Sequence, residues 1–594
     1  TWRIKMLEYP FDSEFILQNK RALKKQLLEQ QGLTDKKIAI VSGTTIGEIK
    51  NILELFLLAN GIRPTFLVGD YARFYEDVVF DDGTLASFAP DILFMHTSTH
   101  NIDCMPQAGE SAESCQKKQN SAFEHFKAVW TAAKKLGCPI VQNNFELPRV
   151  RVMGNREAFD PSGKVRFVGR LNEMMADYAY ETPGFYINDI NYLSAWYGLD
   201  AFTDPSYYNS YKYSVNPNAI PLVCSSVASI IKSIFGKNKK ALMLDLDNTL
   251  WGGVIGDDGV EGINLGIENP KGIAHTNLQS YAKELTGIGV LLGVVSKNEE
   301  KAAKSGFSHP SSVLKPDDFA VFRANWEPKS ENLAAAAKQL NLGSDSFVFA
   351  DDNPAEREIV RSAKLGVAVP ELTVPERFAE TISNGGYFEV TALSADDVKR
   401  AQMYKDNALR EAEVESFSDY GEYLKSLCMK GYFGNFGEGQ LERVTQLANK
   451  SNQFNLTTRR YRAEEMRARS ESANSFTLYG RLEDKFGDNG IVTCLIANEV
   501  DDALDIELWI MSCRVFKREL EYAMFDLLVA EARRRGIKKI VGHYYKTPKN
   551  AVVAEFLGTI GFHKTAQNGE DSEWMYTLLE NYENKNKSIE VIKE

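Results

Sequence analysis

Seven cysteines in 594 residues, with no two at C-x-x-C spacing, leave this chain without the ligand set of a zinc ribbon or the pair of a thioredoxin-type site. Cys104, Cys115, Cys138, Cys224, Cys428, Cys494 and Cys513 are scattered single thiols, the pattern of a reducing compartment. Positive charge is also short. Sixty-nine basic residues face 81 acidic ones, and the net charge of −12 argues against general nucleic-acid binding. The one dense basic run, "EARRRGIKK" at 531–539, reads as a solvated helix end. Long apolar runs are missing too: "IGVLLGVV" falls far short of the ~20 residues of a membrane helix. The opening "TWRIKMLEYP" has no signal-peptide pattern, and no repeat or low-complexity tract interrupts the chain. The expectation is a cytoplasmic protein with no membrane span and no nucleic-acid partner.

What is present is α/β patterning on a scale of several domains. At roughly 100–200 residues per domain, the length calls for three or four units. Residues 1–238 alternate short buried-type strands ("KIAIVSG", "PTFLVG", "DILFMHT", "PIVQNN") with helical stretches such as "IGEIKNILELFLLANG", the signature of a parallel sheet. Residues 239–388 repeat that logic with "KALMLDLD", "GVLLGVVSKN", "SFVFADDN" and "GVAVP". A helical linker is expected over 389–430. Residues 431–580 differ: "DNGIVTCLIANEV" and "LDIELWIMSCRV" read as antiparallel neighbours before the helix "RELEYAMFDLLVAEARRRG", an α+β arrangement. Residues 581–594 read as a polar tail.

The central region carries the chemistry. An apolar strand runs into Asp245 and Asp247, which share a face because alternate strand residues point the same way. Ligands of open parallel sheets bind beyond the carboxyl ends of the strands. Two further runs end there in polar residues: Ser296, Lys297 and Asn298 in one, Asp351, Asp352 and Asn353 in the other. "NWEPKSENL" places Lys329 at a helix start. Buried acids need a cation, and carboxylate oxygens suit Mg2+. That ion and Lys329 would neutralise a phosphoryl group, Ser296 would donate to its oxygens, Asp245 would attack phosphorus and Asp247 would serve as acid–base. An EF-hand is excluded because Leu250 stands where that loop needs glycine.

"DLDNTLWGG", "VVSKN", "WEPKS" and "FADDNPAERE" resemble, in order and spacing, the four motifs of the haloacid dehalogenase (HAD) superfamily. The resemblance implies a Rossmann-like parallel sheet with minimal cap and an Mg2+ cofactor. It casts Asp245 as nucleophile, Asp247 as acid–base and Ser296, Lys297 and Lys329 as phosphate binders. Its metal ligands would be Asp245, Asp247, Asp351 and Asp352, with Asp247 acting through its backbone carbonyl in that superfamily. Together with "SNQFNLTTRRY", "KFGDNGIV" and "SCRVFKRELE", residues 240–565 resemble the FkbH-like proteins of HAD subfamily IIIC. That likeness implies dephosphorylation of 1,3-bisphosphoglycerate and transfer of the glyceryl group, as a thioester, to an acyl carrier protein.

The third region resembles the GNAT acyltransferase fold, with Asn550, Phe556, Gly561 and Phe562 matching its closing segment. "ELE" at 519–521 replaces the glycines of that fold's pyrophosphate loop, so ordinary coenzyme A binding is not expected. Cys513, next to Arg514, is the candidate acyl carrier, and Cys494 is expected in the core. Asn452, Gln453, Asn455, Arg459, Arg514, Lys517 and Arg518 are candidates for carrier or substrate binding. The first region loosely resembles SGNH-type hydrolases through "VSGTT", with Ser42 at the nucleophile position. Asp189 and Asp204 are available, but no histidine follows His125 before the HAD motifs, and His96 and His100 are misplaced for that triad. A non-hydrolytic SGNH-like domain is expected. The alternatives are a plain HAD phosphatase acting on a metabolite or a sugar in surface-polysaccharide biosynthesis, and a multidomain assembly scaffold.

Overall fold

The computed structural model describes residues 6–393, 400–414, 417, 419–451, 453–512, 515–547 and 550–594. The chain forms two compact units, Thr1–Lys237 and Asn238–Glu594.

The first unit holds a five-stranded sheet of β1 (Thr34–Ser42), β2 (Ile62–Val68), β3 (Ile92–His96), β4 (Ile140–Asn143) and β5 (Phe185–Asn188), in the order β2-β1-β3-β4-β5. Every pairing is parallel. The two-residue period of β1 splits its side chains between two cores: Ile38 and Ile40 join one, Ala39 and Val41 the other. Helices Ser13–Leu28, Gly47–Ala59 and Ile220–Ile234 supply the first core; Ala112–Ala133 and Lys164–Glu181 supply the second. This is the doubly covered sheet that continuous apolar strands require. The stretch Pro217–Ile234 is long and apolar enough to cross a membrane, a length the sequence reading had not credited; 67% of it is buried in this unit, as in a core helix.

The second unit contains two sheets. The first is parallel, built from β6 (Ala241–Leu244), β7 (Leu291–Ser296), β8 (Phe319–Ala324) and β9 (Phe347–Ala350) in the order β8-β7-β6-β9. Leu242 and Leu244 face one core, Ala241 and Met243 the other. The edge strand β8 was missed because "FAVFRA" is a short run broken by Arg323, with half of its residues only partly buried. "GVAVP", expected as a strand, makes only an isolated bridge between Ala368 and Val348.

The remaining strands are β10 (Met429–Gly434), β11 (Phe454–Asn455), β12 (Ser475–Asp484), β13 (Gly487–Val500), β14 (Ala503–Met511), β15 (Lys539–Tyr544), β16 (His563–Asn568), β17 (Asp571–Thr577) and β18 (Ile589–Lys593). They form one sheet, β16-β17-β15-β14-β13-β12-β10-β18, with β11 paired to β14. Residues 581–594, read as a polar tail, thus include β18, which pairs in parallel with β10. Its short "IEVI" alternation is masked by the lysines and asparagines before it. In the expected linker, helix Arg400–Val414 carries buried Arg410, whose guanidinium pairs with buried Asp484 of β12 at 2.5 Å.

Candidate active site

Strand register brings the motif residues together. Leu244 of β6 lies opposite Val294 of β7 and Ala350 of β9, so the next residues of all three strands emerge at one edge. Asp245 N–H donates to the Ala350 carbonyl at 2.9 Å, setting Asp245 beside Asp351. Ser296, two residues past Val294, completes the rim and is buried.

Lys329 is the first residue of helix Lys329–Gln339, and its side chain is 3% exposed. Its Nζ lies 2.7 Å from Asp245 Oδ2 and 2.5 Å from Asp351 Oδ2. Asp351 Oδ1 accepts from Asn353 N at 2.8 Å. Asp352 accepts from Thr249 Oγ1 at 3.3 Å. Buried Arg357 fastens this strand end from behind, donating to the carbonyls of Asp351, Asp352 and Leu372 at 2.9, 2.7 and 3.0 Å.

Asp247 is held differently. Its Oδ1 accepts from Trp251 Nε1 at 2.9 Å and Ile255 N at 3.0 Å, and its Oδ2 from Asn298 Nδ2 at 2.8 Å. The turn behind it needs left-handed backbone at Asn248 (φ 54°) and Gly253 (φ 97°). A side chain at Gly253 would also meet Asp258 Oδ2 at 2.5 Å.

Charge in this crevice is unbalanced. Asp245, Asp351 and Asp352 offer carboxylate oxygens all within 4.8 Å of one another. Three negative charges against one ammonium leave a formal −2. Burial, opposed by Lys329 and reinforced by Asp351, pushes Asp245 up to about 6. Burial also raises Asp351 and Asp352. It works against the Lys329 ammonium as well, but Asp245 and Asp351 outweigh it and hold that pKa above the ordinary value. An all-oxygen site two charges short fits a hard divalent ion, and Mg2+ is the ion these donors suit. Metal binding requires ionised ligands. Mg2+ affinity should therefore rise as pH climbs through about 6 and level off above it. Calorimetric titration from about pH 5 to about pH 8 reads this, and an affinity flat across the range contradicts it.

The sequence-derived assignments divide accordingly. Asp245, Ser296, Lys329, Asp351 and Asp352 converge. Asp247 adjoins them, but its carboxylate is committed to Trp251, Ile255 and Asn298 and lies outside the acidic cluster, so its side chain is not among the ligands the geometry offers. Lys297 does not reach into the site: in the bend after β7 it lies at the surface, where it pairs with Glu356 at 2.6 Å. Trp251, Asn298, Thr249 and Arg357 were not recognised as supports. The buried tryptophan four residues after Asp247 was the one available signal.

In the third region, Cys513, Arg514 and Asn452 lie outside the described residues. Cys494 is fully buried, and burial pushes its thiol far up, as expected of a core cysteine. Strands β14 and β15 pair only over 503–506 and 539–542; beyond that point residues 454–457 take the free edge of β14. Leu456 N–H donates to Trp509 O at 3.3 Å and Thr457 Oγ1 to Glu507 O at 2.9 Å. Asn455, expected to bind a carrier or substrate, is buried within this insert, its Oδ1 accepting from Thr458 N at 2.8 Å. Arg459 pairs with Glu507, which Arg469 also engages at 2.7 Å. Gln453 Oε1 is buried with no partner among the described residues. Arg518 is not available to a phosphate either, being buried against Asp484 at 3.2 Å. Lys517 is exposed, its carbonyl accepting from Tyr420 Oη at 2.8 Å. Glu519 and Glu521 start the helix Leu520–Arg534, and burial pushes Glu521 up to about 7.

In the first unit, Ser42 Oγ donates to the Thr44 carbonyl at 2.9 Å; His96 lies opposite it in register, but no histidine ring hydrogen-bonds to Ser42 among the described residues. His96 lies 3.2 Å from Ser214 Oγ and 2.7 Å from Asn143 Nδ2, and burial pushes it down to about 4. His100 stacks on Tyr208, and His125 on Tyr75. Asp189 and Asp204 cap the helices Ile190–Tyr197 and Pro205–Tyr211. Among the described residues no hydrogen bonds link Ser42, a histidine and either of these aspartates.

Comparison with known proteins places this geometry. Residues 58–232, within the unit whose sequence loosely resembles SGNH hydrolases, match the model of the FkbH N-terminal domain. The fold is similar to the N-terminal part of BF1531 from Bacteroides fragilis, a structure containing a phosphatase domain complexed with Mg. The TM-score is 0.59 and the identity 30%, over 63% of this chain and 99% of that one. A domain from Methanocaldococcus jannaschii (14% identity, TM-score 0.22, 25% of this chain and 99% of that one) and the ribosomal-protein-S18-alanine N-acetyltransferase of Escherichia coli (10%, 0.20, 26% and 99%) match too slightly to bear on function. No curated protein matches the chain. An FkbH N-terminal domain within the first unit and 30% identity over nearly the whole of the Bacteroides structure show that this chain belongs to the family of that protein and carries a HAD-like phosphatase domain.

Proposed function

We propose that the parallel-sheet site of the second unit removes a phosphoryl group from a phosphorylated three-carbon acid, 1,3-bisphosphoglycerate, and that the protein passes the glyceryl group to an acyl carrier protein. The reading is carried by Lys329, whose one ammonium bridges Asp245 and Asp351 at 2.7 and 2.5 Å beside a third carboxylate. Asp245, Asp351 and Asp352 would hold Mg2+, which supplies positive charge for the phosphoryl oxygens. Asp245 attacks phosphorus to form an aspartyl-phosphate while the ester P–O bond breaks. Asp247 gives its proton to the departing oxygen and recovers one from the water that hydrolyses the phosphoenzyme. Ser296 and Lys329 bind the transferring oxygens. Between β6 and the helix Pro270–Gly287 the chain forms only the short helix Ile255–Gly262, so no cap domain is inserted there.

The acyl half of the reading rests on sequence resemblance. The Cys513 thiolate would attack the acyl phosphate carbon, release inorganic phosphate and hold the glyceryl group as a thioester before the carrier's thiol takes it. We read residues 431–580 as a GNAT-like domain, 389–430 as a helical linker and 1–238 as a non-hydrolytic SGNH-like domain, and place the protein in the cytoplasm, where its single thiols stay reduced. Intact-mass analysis after incubation with 1,3-bisphosphoglycerate and Mg2+ tests the scheme. A glyceryl adduct that disappears in Cys513→Ala is expected. Phosphate release without an adduct, even with carrier protein present, would leave a plain phosphatase.

A further inference from the structure

Asp247 lies in the turn after β6 and Ser296 ends β7, and one side chain joins them. In the bend after β7, Lys297 turns outward and Asn298 comes back to the side of Ser296, where it is buried. Its Nδ2 donates to Asp247 Oδ2 at 2.8 Å and to Ser296 Oγ at 3.2 Å, one contact for each N–H of the amide. An ionised carboxylate only accepts, so the amide must face Asp247 with nitrogen rather than oxygen. Ser296, having accepted from Asn298, keeps its own hydroxyl hydrogen for an acceptor in the phosphoryl site. One amide thus ties the acid–base residue to a phosphoryl-binding hydroxyl.

The two oxygens of Asp247 are not equivalent in this chain. Oδ1 accepts from both Trp251 Nε1 and Ile255 N, which occupies both lone pairs. Oδ2 accepts from Asn298 alone among the described residues, leaving one lone pair for a proton. We infer that Asn298 is a positioning residue that reserves Asp247 Oδ2 for proton transfer to the leaving group and aligns Ser296 with the phosphoryl site. This rests on the phosphatase reading and adds the atom that moves the proton and the group that aims it.

Leaving-group dependence separates this role from simple packing. An alkoxide needs the proton of Asp247 as it departs; a nitrophenolate is stable without it. Asn298→Ala and Asn298→Asp, the second similar in shape but without the donor N–H, would be compared with the wild type on 4-nitrophenyl phosphate and an alkyl phosphate, each with Mg2+. Circular dichroism identifies the folded variants, and either one suffices. The expected result is a drop of about tenfold or more in the ratio of alkyl to aryl kcat/KM, within the range that acid–base catalysis spans. Equal losses on both substrates, or no loss, would overturn the assignment. A wild-type protein that hydrolyses neither ester would overturn the phosphatase reading and this inference with it.

Discussion

Lys329→Met is expected to lower the stability of the ion-free protein by about 3–5 kcal/mol, the range for removing one partner from a buried ion pair. The methionine fills nearly the same space, so the loss is electrostatic rather than a cavity effect. Asp245 and Asp351, now without the ammonium at 2.7 and 2.5 Å, must stay charged in a buried setting or take up protons. That choice sets the pH dependence. A carboxylate whose folded pKa lies above its unfolded value binds more protons folded than unfolded, so its contribution becomes less favourable as pH rises through that interval. Asp245 already lies at about 6, and the substitution raises it further. The penalty should therefore be small near pH 4, grow toward neutrality and shrink when Mg2+ is added. Urea unfolding at several pH values, with and without Mg2+, measures it. A variant as stable as the wild type at neutral pH without Mg2+ would mean that Lys329 does not neutralise these acids.

Asp245→Asn is expected to lower phosphate release by a factor on the order of 10⁴ or more, as losing a nucleophile does elsewhere. The amide keeps the shape of the side chain and can still accept from Lys329 Nζ. It lacks the charge to attack phosphorus, and it removes one ligand from the acidic cluster. The substitution also relieves buried negative charge, so the variant should be no less stable than the ion-free wild type. Activity and stability thus move apart. Pure packing damage would lower both.

Much of the site was legible because its chemistry is written at strand ends. Asp245, Ser296 and Asp351 each follow an apolar run, and parallel register brings such ends together. Lys329 was legible through the helix start at "PKSENL". What the sequence concealed was direction. Lys297 reads as a phosphate ligand until the bend after β7 turns it to Glu356. Asn298 reads only as one more polar residue at a strand end until its amide is seen between Asp247 and Ser296.

The third region was harder to read for a related reason. The polar density of "SNQFNLTTRRY" suggested a binding surface, and the structure assigns much of it to an insert along β14. Asn455 satisfies its own turn, and Arg459 answers the carboxylate of Glu507, whose side chain is 8% exposed. Arg518 sits beside exposed Lys517 in sequence, yet pairs with Asp484 in a buried cluster. Polar residues serving a fold and those serving a ligand look alike until their partners are known.

The first region shows the same limit. Asp189 and Asp204 fit a catalytic triad by type, but each caps a helix, a use that no spacing rule separates from catalysis. Two stretches illustrate the opposite case. The helix Ile220–Ile234 is apolar because it packs in a core, and Ile589–Lys593, within a polar tail, pairs with β10 as the edge strand β18. Neither use is visible from composition.

Acid-quenched single turnover with a labelled phosphate ester and Mg2+, followed by peptide mapping, tests the central claim most directly. The account predicts label on the peptide containing Asp245, formed only with Mg2+ and absent from Asp245→Asn. Label on another residue, or undiminished turnover by that variant, would contradict it.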